Sequence, residues 1–470
     1  MKKFLFILTS ILIVLITSII LIEISINITL LIYKNIEPSS NYSYLYVFGE
    51  SPASGAPYFK TSFVKAIKYI TNGKIDNKKL IIIDFTRPGC TLCYQYTSYL
   101  LYRLTHPFQK GIVLLYSGTN DIHVNEFEIK HKNFFINTLL KFNIIKFIDA
   151  YTDIFPLKYP YFYKRLLILK LLNDFQYLYE KIIDMTTKLG DEVYISTIAE
   201  NYSQYHPKEE FNLYSKELET IDNLFFTSQL NEAETLCKQY IEDNKYEIKS
   251  VFWFRIGKIY EQKKLFSKAN KCFLNAIENT LKKNRNNTIM DISKKYNIKC
   301  IDFVDRIYNS NEIIGLNYFA DEGHLSIESH IILAYEFIKL ISTKHKIDIV
   351  CEQDFNFEEF KKLSNIGNND TLRVLMSTII ELEVKNKFTY LYNLELIRKL
   401  IKQIATIELD ENKRPNSKDL LFFLNKQKQF LEKDYNNKNI SLLEKDLNKY
   451  KNGAFSLIRK ELNEKYPKFL

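Results

Sequence analysis

The chain has 470 residues, 46% hydrophobic and 14% aromatic, which calls for two or more folded domains and excludes a largely disordered chain. Its net charge of +10 comes from 65 Lys and Arg mixed throughout with 55 Asp and Glu. No dense basic stripe with interleaved aromatics stands out, so the charge gives no ground for a nucleic-acid partner; a Lys, Asn and Ile bias along the whole chain accounts for it.

Lys2 and Lys3 precede Phe4 to Ile22, nineteen residues without a charge. The apolar run resumes after Glu23 and continues through Ile32. About 20 helical residues cross a bilayer, so residues 1–34 are expected to hold an uncleaved single-pass anchor, Glu23 lying near the outer interface. The lysines favour a cytoplasmic N-terminus. A cleaved signal peptide is the alternative, although no Ala-x-Ala site follows the run and no cysteine ends it.

Short, nearly continuous apolar runs then recur at Tyr44–Phe48, Leu80–Asp84, Gly111–Tyr116, Glu192–Thr197 and Ile298–Phe303. Runs of this kind, separated by helical stretches, predict strands buried on both faces of a parallel sheet. Each of the first three ends in a polar, glycine-bearing turn: Gly49-Glu50-Ser51, Thr86-Arg87-Pro88-Gly89 and Ser117-Gly118-Thr119-Asn120. Ligands of open α/β sheets bind at the carboxyl ends of strands, so the three turns should meet at one crevice. Cys90 and Cys93 could be redox-active or metal-binding by spacing, but no second pair or histidine cluster accompanies them, and they are read as a reduced or local structural pair. Cys237 and Cys272 are read as small core residues.

Residues 126–188 are helical by periodicity and rich in Phe and Tyr, more than a simple crossover needs. Between 217 and 290, Trp253, Ile256, Gly257, Tyr260, Ala269, Phe273 and Ala276 fall at the spacings of a tetratricopeptide repeat, and Ala233, Cys237 and Tyr240 suggest a partial one before it. Ile298–Phe303 returns to the sheet and Ile327–Ile341 reads as its closing helix. Residues 346–470 alternate amphipathic helices with Lys, Asn and Glu linkers at 411–417 and 435–439.

Chemistry concentrates at the turns. Ser51 follows a strand and a glycine, where it can sit at a first helical turn with backbone N–H groups facing outward; alone, such a serine is more often a helix cap. His324 lies three residues after Asp321, a spacing that lets the carboxylate hold Nδ1–H and leaves Nε2 to take a serine proton. His330, on the following helix, reads as an ordinary surface histidine. Asn120 could offer its amide to an oxyanion together with the backbone N–H groups of Ser51 and Gly89; Asp121 reads as a loop brace.

These blocks, in this order, resemble those of the SGNH hydrolases, or GDSL-like lipases and acylhydrolases, and in particular bacterial members that carry tetratricopeptide repeats. Gly49-Glu50-Ser51 matches the nucleophile block with Glu50 in place of the usual Asp, and the stretch to Tyr58 matches further at Gly55 and Pro57-Tyr58. Gly89 matches the oxyanion glycine, without the usual Asn before it. Gly118-Thr119-Asn120-Asp121 and Asp321-Glu322-Gly323-His324 match the remaining blocks, and Thr197–Asn201 resembles the branch's fourth-strand end. The resemblance implies a three-layer α/β/α fold with a flavodoxin-like parallel sheet, split as 35–216 and 291–345 around tetratricopeptide-like helices at 217–290, with the 346–470 helical region following. It implies a serine esterase with Ser51, Asp321 and His324 as catalytic residues, an oxyanion hole from Ser51, Gly89 and Asn120, and no cofactor or metal. The expected substrate is an acylated glycan, a lipid or a small ester met outside the cytoplasmic membrane, with a protein partner for the repeats. A non-catalytic repeat scaffold and a glycan O-acyltransferase using the same triad are the alternatives.

Overall fold

The computed structural model describes residues 41–106, 109–120, 175–205, 214–246, 248–277 and 281–384, with isolated positions at 17, 18, 21, 28, 392, 393, 396, 399, 400 and 403. The expected anchor at 1–34, residues 126–174 of the aromatic stretch, Asp121 and the two C-terminal linkers lie wholly or almost wholly outside these. No described helix is long and apolar enough to cross a membrane.

In chain order the elements are β1 (Tyr42–Gly49), α1 (Phe63–Ile70), β2 (Lys74–Ile75), β3 (Lys78–Asp84), α2 (Leu92–Thr105), β4 (Gly111–Tyr116), α3 (Phe175–Lys188) and β5 (Glu192–Ser196). They continue with α4 (Ser215–Phe226), α5 (Leu230–Glu242), α6 (Ser250–Gln262), α7 (Phe266–Asn275), α8 (Leu281–Tyr296), β6 (Lys299–Ile301), α9 (Phe303–Tyr308), α10 (Ile327–Ile341), α11 (Phe357–Leu363) and α12 (Asn368–Val384). The six strands form one sheet in the order β2-β3-β1-β4-β5-β6. All neighbours are parallel except the β2/β3 pair. The chain steps from β1 outward to β3 and then returns to the other side of β1 for β4. That reversal is the switch point at which open α/β sheets form a crevice, beyond the carboxyl ends of the strands.

The apolar runs dictate this layering. Tyr46 and Phe48 of β1 face α2, in ring contact with Tyr99 at 5.6 and 5.3 Å. Tyr116, on the opposite face, meets Phe63 of α1 at 6.2 Å, and Phe63 stacks on Phe337 of α10 at 5.6 Å. Helices therefore cover both faces, which is why these strands are apolar throughout rather than alternating.

Two departures from expectation have a clear local cause. The last strand stops at Ile301 because the Asp302 carboxylate accepts from Asp305 N at 3.1 Å and starts α9 there. The β2/β3 hairpin was absent from the sequence reading; Asp76 and Asn77 both take positive φ, 54° and 59°, the geometry of a tight two-residue hairpin turn.

Between β5 and β6 the described residues form five helices. Those from α4 to α7 pack each on the next around Ala233, Cys237, Phe252, Ile256 and Cys272. A Cβ on Gly257 would lie 2.5 Å from the Phe273 ring, so the glycine lets α6 and α7 approach. The buried Arg255 guanidinium binds both oxygens of Asp222, at 2.6 and 2.8 Å.

At the amino edge of the sheet, Arg103 and Asp191 are both buried, with Arg103 Nη1 at 2.6 and 2.7 Å from the two carboxylate oxygens. Asp191 also accepts from Gly111 N at 2.8 Å and from the Tyr99 hydroxyl. Removing one partner of a buried pair strands the other charge. Asp191→Ala is expected to lower unfolding stability by about 3–5 kcal/mol, measured by urea denaturation followed by tyrosine fluorescence.

Candidate active site

The turn after β1 is built around a buried acid. Gly49 has no room for a side chain: a Cβ there would lie 2.0 Å from Ala53 Cβ and 2.9 Å from Tyr116 O. The chain can therefore double back and bury Glu50, which is 1% exposed. Its Oε1 accepts from Ser117 Oγ at 3.0 Å and Gly118 N at 2.9 Å, and its Oε2 from Asn120 N at 2.8 Å. Gly118 holds φ at 125°, and a Cβ there would meet the Phe175 ring at 2.4 Å. Glu50 thus locks the nucleophile turn to the Asn120 turn. The resemblance had treated it only as a replacement for the usual Asp.

The third turn joins the same knot. Asn120 Nδ2 donates to Cys90 O at 2.8 Å, which engages one of its two amide hydrogens. Cys90 Sγ lies 3.5 Å from Gly49 O, and Gln95 Nε2 bridges Cys90 Sγ and Ser117 Oγ at 3.4 and 2.8 Å. Arg87 N donates to Gly49 O at 3.2 Å. Gly89 is exposed with φ at 72°. The three turns that carry Ser51, Gly89 and Asn120 are thus tied to one another through Glu50, Cys90 and the Asn120 amide. Ser51 is half-buried and its carbonyl accepts from Ala56 N at 3.1 Å and Ser54 Oγ at 3.0 Å. Its own hydroxyl makes no hydrogen bond among the described residues.

The Asp321/His324 loop forms as its spacing predicts. Asp321 Oδ2 lies 2.6 Å from His324 Nδ1, and Oδ1 accepts from the backbone N of Gly323 and His324 at 3.0 and 2.9 Å. Burial pushes the Asp321 carboxyl up, but the bond to His324, its charge and the two N–H groups outweigh that and hold the carboxyl below its ordinary value. An ionised Asp321 fixes the proton on Nδ1, so Nε2 is the basic nitrogen. Ala320 N closes the loop on His324 O at 2.8 Å. Asn201 N donates to Glu322 O at 2.9 Å, tying the loop to the end of β5. Beneath that end, Arg285 binds Glu200 Oε1 at 3.1 Å and Ile198 O at 3.2 Å, both charged side chains being buried.

His330 is not a surface histidine. It is fully buried, accepts from Phe63 N at 3.2 Å through Nδ1, and its Nε2 has no partner among the described residues. The contact joins the nucleophile turn to the helix that follows the His324 loop, because Phe63 opens α1 directly after that turn. The α10 periodicity carried the signal: Ile327, His330, Ile331, Ala334 and Ile338 share one buried face.

Among the described residues no three His, Cys, Asp or Glu gather as metal ligands. Cys90 forms no disulfide there, and Cys237 and Cys272 are buried thiols, as expected.

No protein-family model matches the chain, and no curated protein does. Among solved structures, a lipase/acylhydrolase from Enterococcus faecalis is similar over 66% of this chain and 100% of its own, at 12% identity and a TM-score of 0.30. What the site can do follows from its own residues.

Burial, and secondarily the charge of His324, pushes the His330 imidazole down to about 3. A histidine whose folded pKa is depressed binds more protons unfolded, so its contribution is complete above its unfolded value near 6.5 and is lost as pH falls toward about 3. Stability should decline by up to about 1.4 kcal/mol per pH unit in that window. His330→Asn, which keeps an acceptor for Phe63 N–H, should flatten the decline in thermal midpoints measured from pH 7 to 4.5; parallel curves for the two proteins would contradict it.

Proposed function

We propose that the chain is a serine esterase of the SGNH type, anchored by its N-terminal segment with the catalytic body outside the cytoplasmic membrane, and carrying tetratricopeptide-like helices between β5 and β6. The observation that carries the reading is the 2.6 Å Asp321–His324 pair on a loop at the same edge of the sheet as the Ser51 turn. A carboxylate on Nδ1 leaves Nε2 as the basic nitrogen, and the turn after β1 supplies a hydroxyl for it to activate.

In this mechanism the Ser51 oxygen attacks an ester carbonyl while His324 Nε2 takes the hydroxyl proton. The oxyanion is held by the N–H groups of Ser51 and Gly89 and by Asn120 Nδ2. Collapse breaks the ester bond, and the alcohol leaves with the proton from His324. Water, deprotonated by the same nitrogen, then attacks the acyl-serine and releases the acid. Ionised Asp321 stabilises the imidazolium in both half-reactions. Glu50 acts at a distance, holding Asn120 N so that its side chain stays at the hole. The substrates that fit an extracytoplasmic site of this chemistry are O-acyl esters of an envelope glycan or a lipid.

One observation favours a second reading, a repeat-bearing scaffold without turnover: the Ser51 hydroxyl is not hydrogen-bonded to His324. Catalytic contacts are often long before substrate closes the site, which is why the esterase reading is preferred.

Ser51→Ala is expected to abolish hydrolysis of p-nitrophenyl acetate and butyrate with an unchanged thermal midpoint. Asn120→Ala should lower kcat about 100-fold with a smaller change in KM, as loss of one oxyanion donor does. Full turnover by Ser51→Ala would overturn Ser51 as the nucleophile, and no turnover by the wild type would leave the scaffold reading.

A further inference from the structure

The C-terminal region has no role assigned from the sequence, yet its described part reaches the nucleophile turn, the Asp321/His324 loop and the stretch after β5. Lys60, at the end of the nucleophile turn, pairs with Asp370 of α12 at 2.8 Å. Thr378, also on α12 and 2% exposed, places its hydroxyl 2.5 Å from Ala320 O and 2.9 Å from Val374 O one turn back on its own helix, the shorter contact being the one to the loop. Ala320 is the residue before Asp321, and its N–H already closes the loop on His324 O. Its two backbone polar groups therefore fix the loop from both sides. Val374, Ile379 and Leu382 of α12 are buried, so the helix is packed there rather than laid on the surface.

Further along, Asn393 Nδ2 donates to Gln204 O at 2.9 Å, and Gln204 Oε1 accepts from Asn201 Nδ2 at 2.7 Å. Asn201 is the residue whose N–H holds Glu322 O. The adjacent Tyr392 ring lies 4.8 and 5.1 Å from those of Phe225 and Phe226 on α4, and its hydroxyl binds Asp222, the partner of Arg255.

We infer that α12, together with Tyr392 and Asn393, is a clamp that positions the Asp321/His324 loop, with Thr378 as the positioning residue and Tyr392 as its anchor on the inserted helices. This rests on the esterase reading for its catalytic consequence, but the clamp itself is a statement about the loop. The inserted helices and the acid–base loop are then parts of one device, and this chain's own Tyr392 occupies the Phe225/Phe226/Asp222 face. Positioning is what the clamp supplies: misplacing a catalytic group by about 1 Å costs on the order of 100-fold. Thr378→Val removes the hydroxyl at nearly constant volume, and Thr378→Ser keeps it.

The test uses the full chain in detergent micelles, with two readouts. The first is the rate of labelling by a serine-directed fluorophosphonate, and the second is hydrogen exchange of the amides of 320–324. Thr378→Val and Tyr392→Ala are expected to slow labelling about 10- to 100-fold and to speed exchange in the loop, with exchange in β1 and β4 unchanged. Thr378→Ser should restore both. A purely structural role would lower the thermal midpoint while leaving the labelling rate of the folded protein and the loop exchange as they are, and that result overturns the inference. Absence of labelling in the wild type would overturn the esterase reading instead, and the exchange readout would then decide the clamp by itself.

Discussion

A carboxylate buried at the end of the first strand organises this molecule's working edge. Glu50 can be buried only because Gly49 lets the chain fold back against Tyr116, and once buried it must be satisfied. Its oxygens find Ser117, Gly118 and Asn120, all on the turn after β4. Two turns that belong to different strands become a single rigid unit, and Ser51 is the next residue along. The cost of stripping Glu50 of partners would be that of an unpaired buried charge, which is why the turn keeps one geometry.

That unit sits where the sheet reverses its order, between the strand step to β3 and the return to β4. The other half of the candidate site reaches it from far along the chain. β6 returns to the sheet after the inserted helices, and the loop beyond α9 carries Asp321 and His324. Two contacts bring the halves into register: Phe63 N–H on His330, and Asn201 N–H on Glu322 O. The C-terminal helix adds a third through Lys60–Asp370 and Thr378–Ala320. None of these involves the side chain of Ser51, Asp321 or His324, and together they set where those candidate residues stand.

The five parallel strands were legible in the sequence because strands covered on both faces are built on short apolar runs, and the Asp321/His324 pair because a three-residue spacing closes locally. The β2/β3 hairpin was not, since Asp76-Asn77 is a turn signal with only two residues of strand on one side. His330 was misread because a polar residue was assumed to point outward, although its neighbours at helical spacing all point inward. Glu50 was passed over for its resemblance value, when its position beside an apolar strand end already implied burial. The clamp left no trace, because Lys60 and Asp370 are 310 residues apart and no local pattern encodes such a pair.

The central claim is that the Ser51 hydroxyl is an activated nucleophile. Peptide mapping by mass spectrometry after treating the wild-type chain with a fluorophosphonate tests it most directly. The account predicts a single phosphonyl adduct on the peptide that contains Ser51, and its loss in His324→Ala. An unmodified Ser51 peptide, or modification that survives His324→Ala, would contradict it.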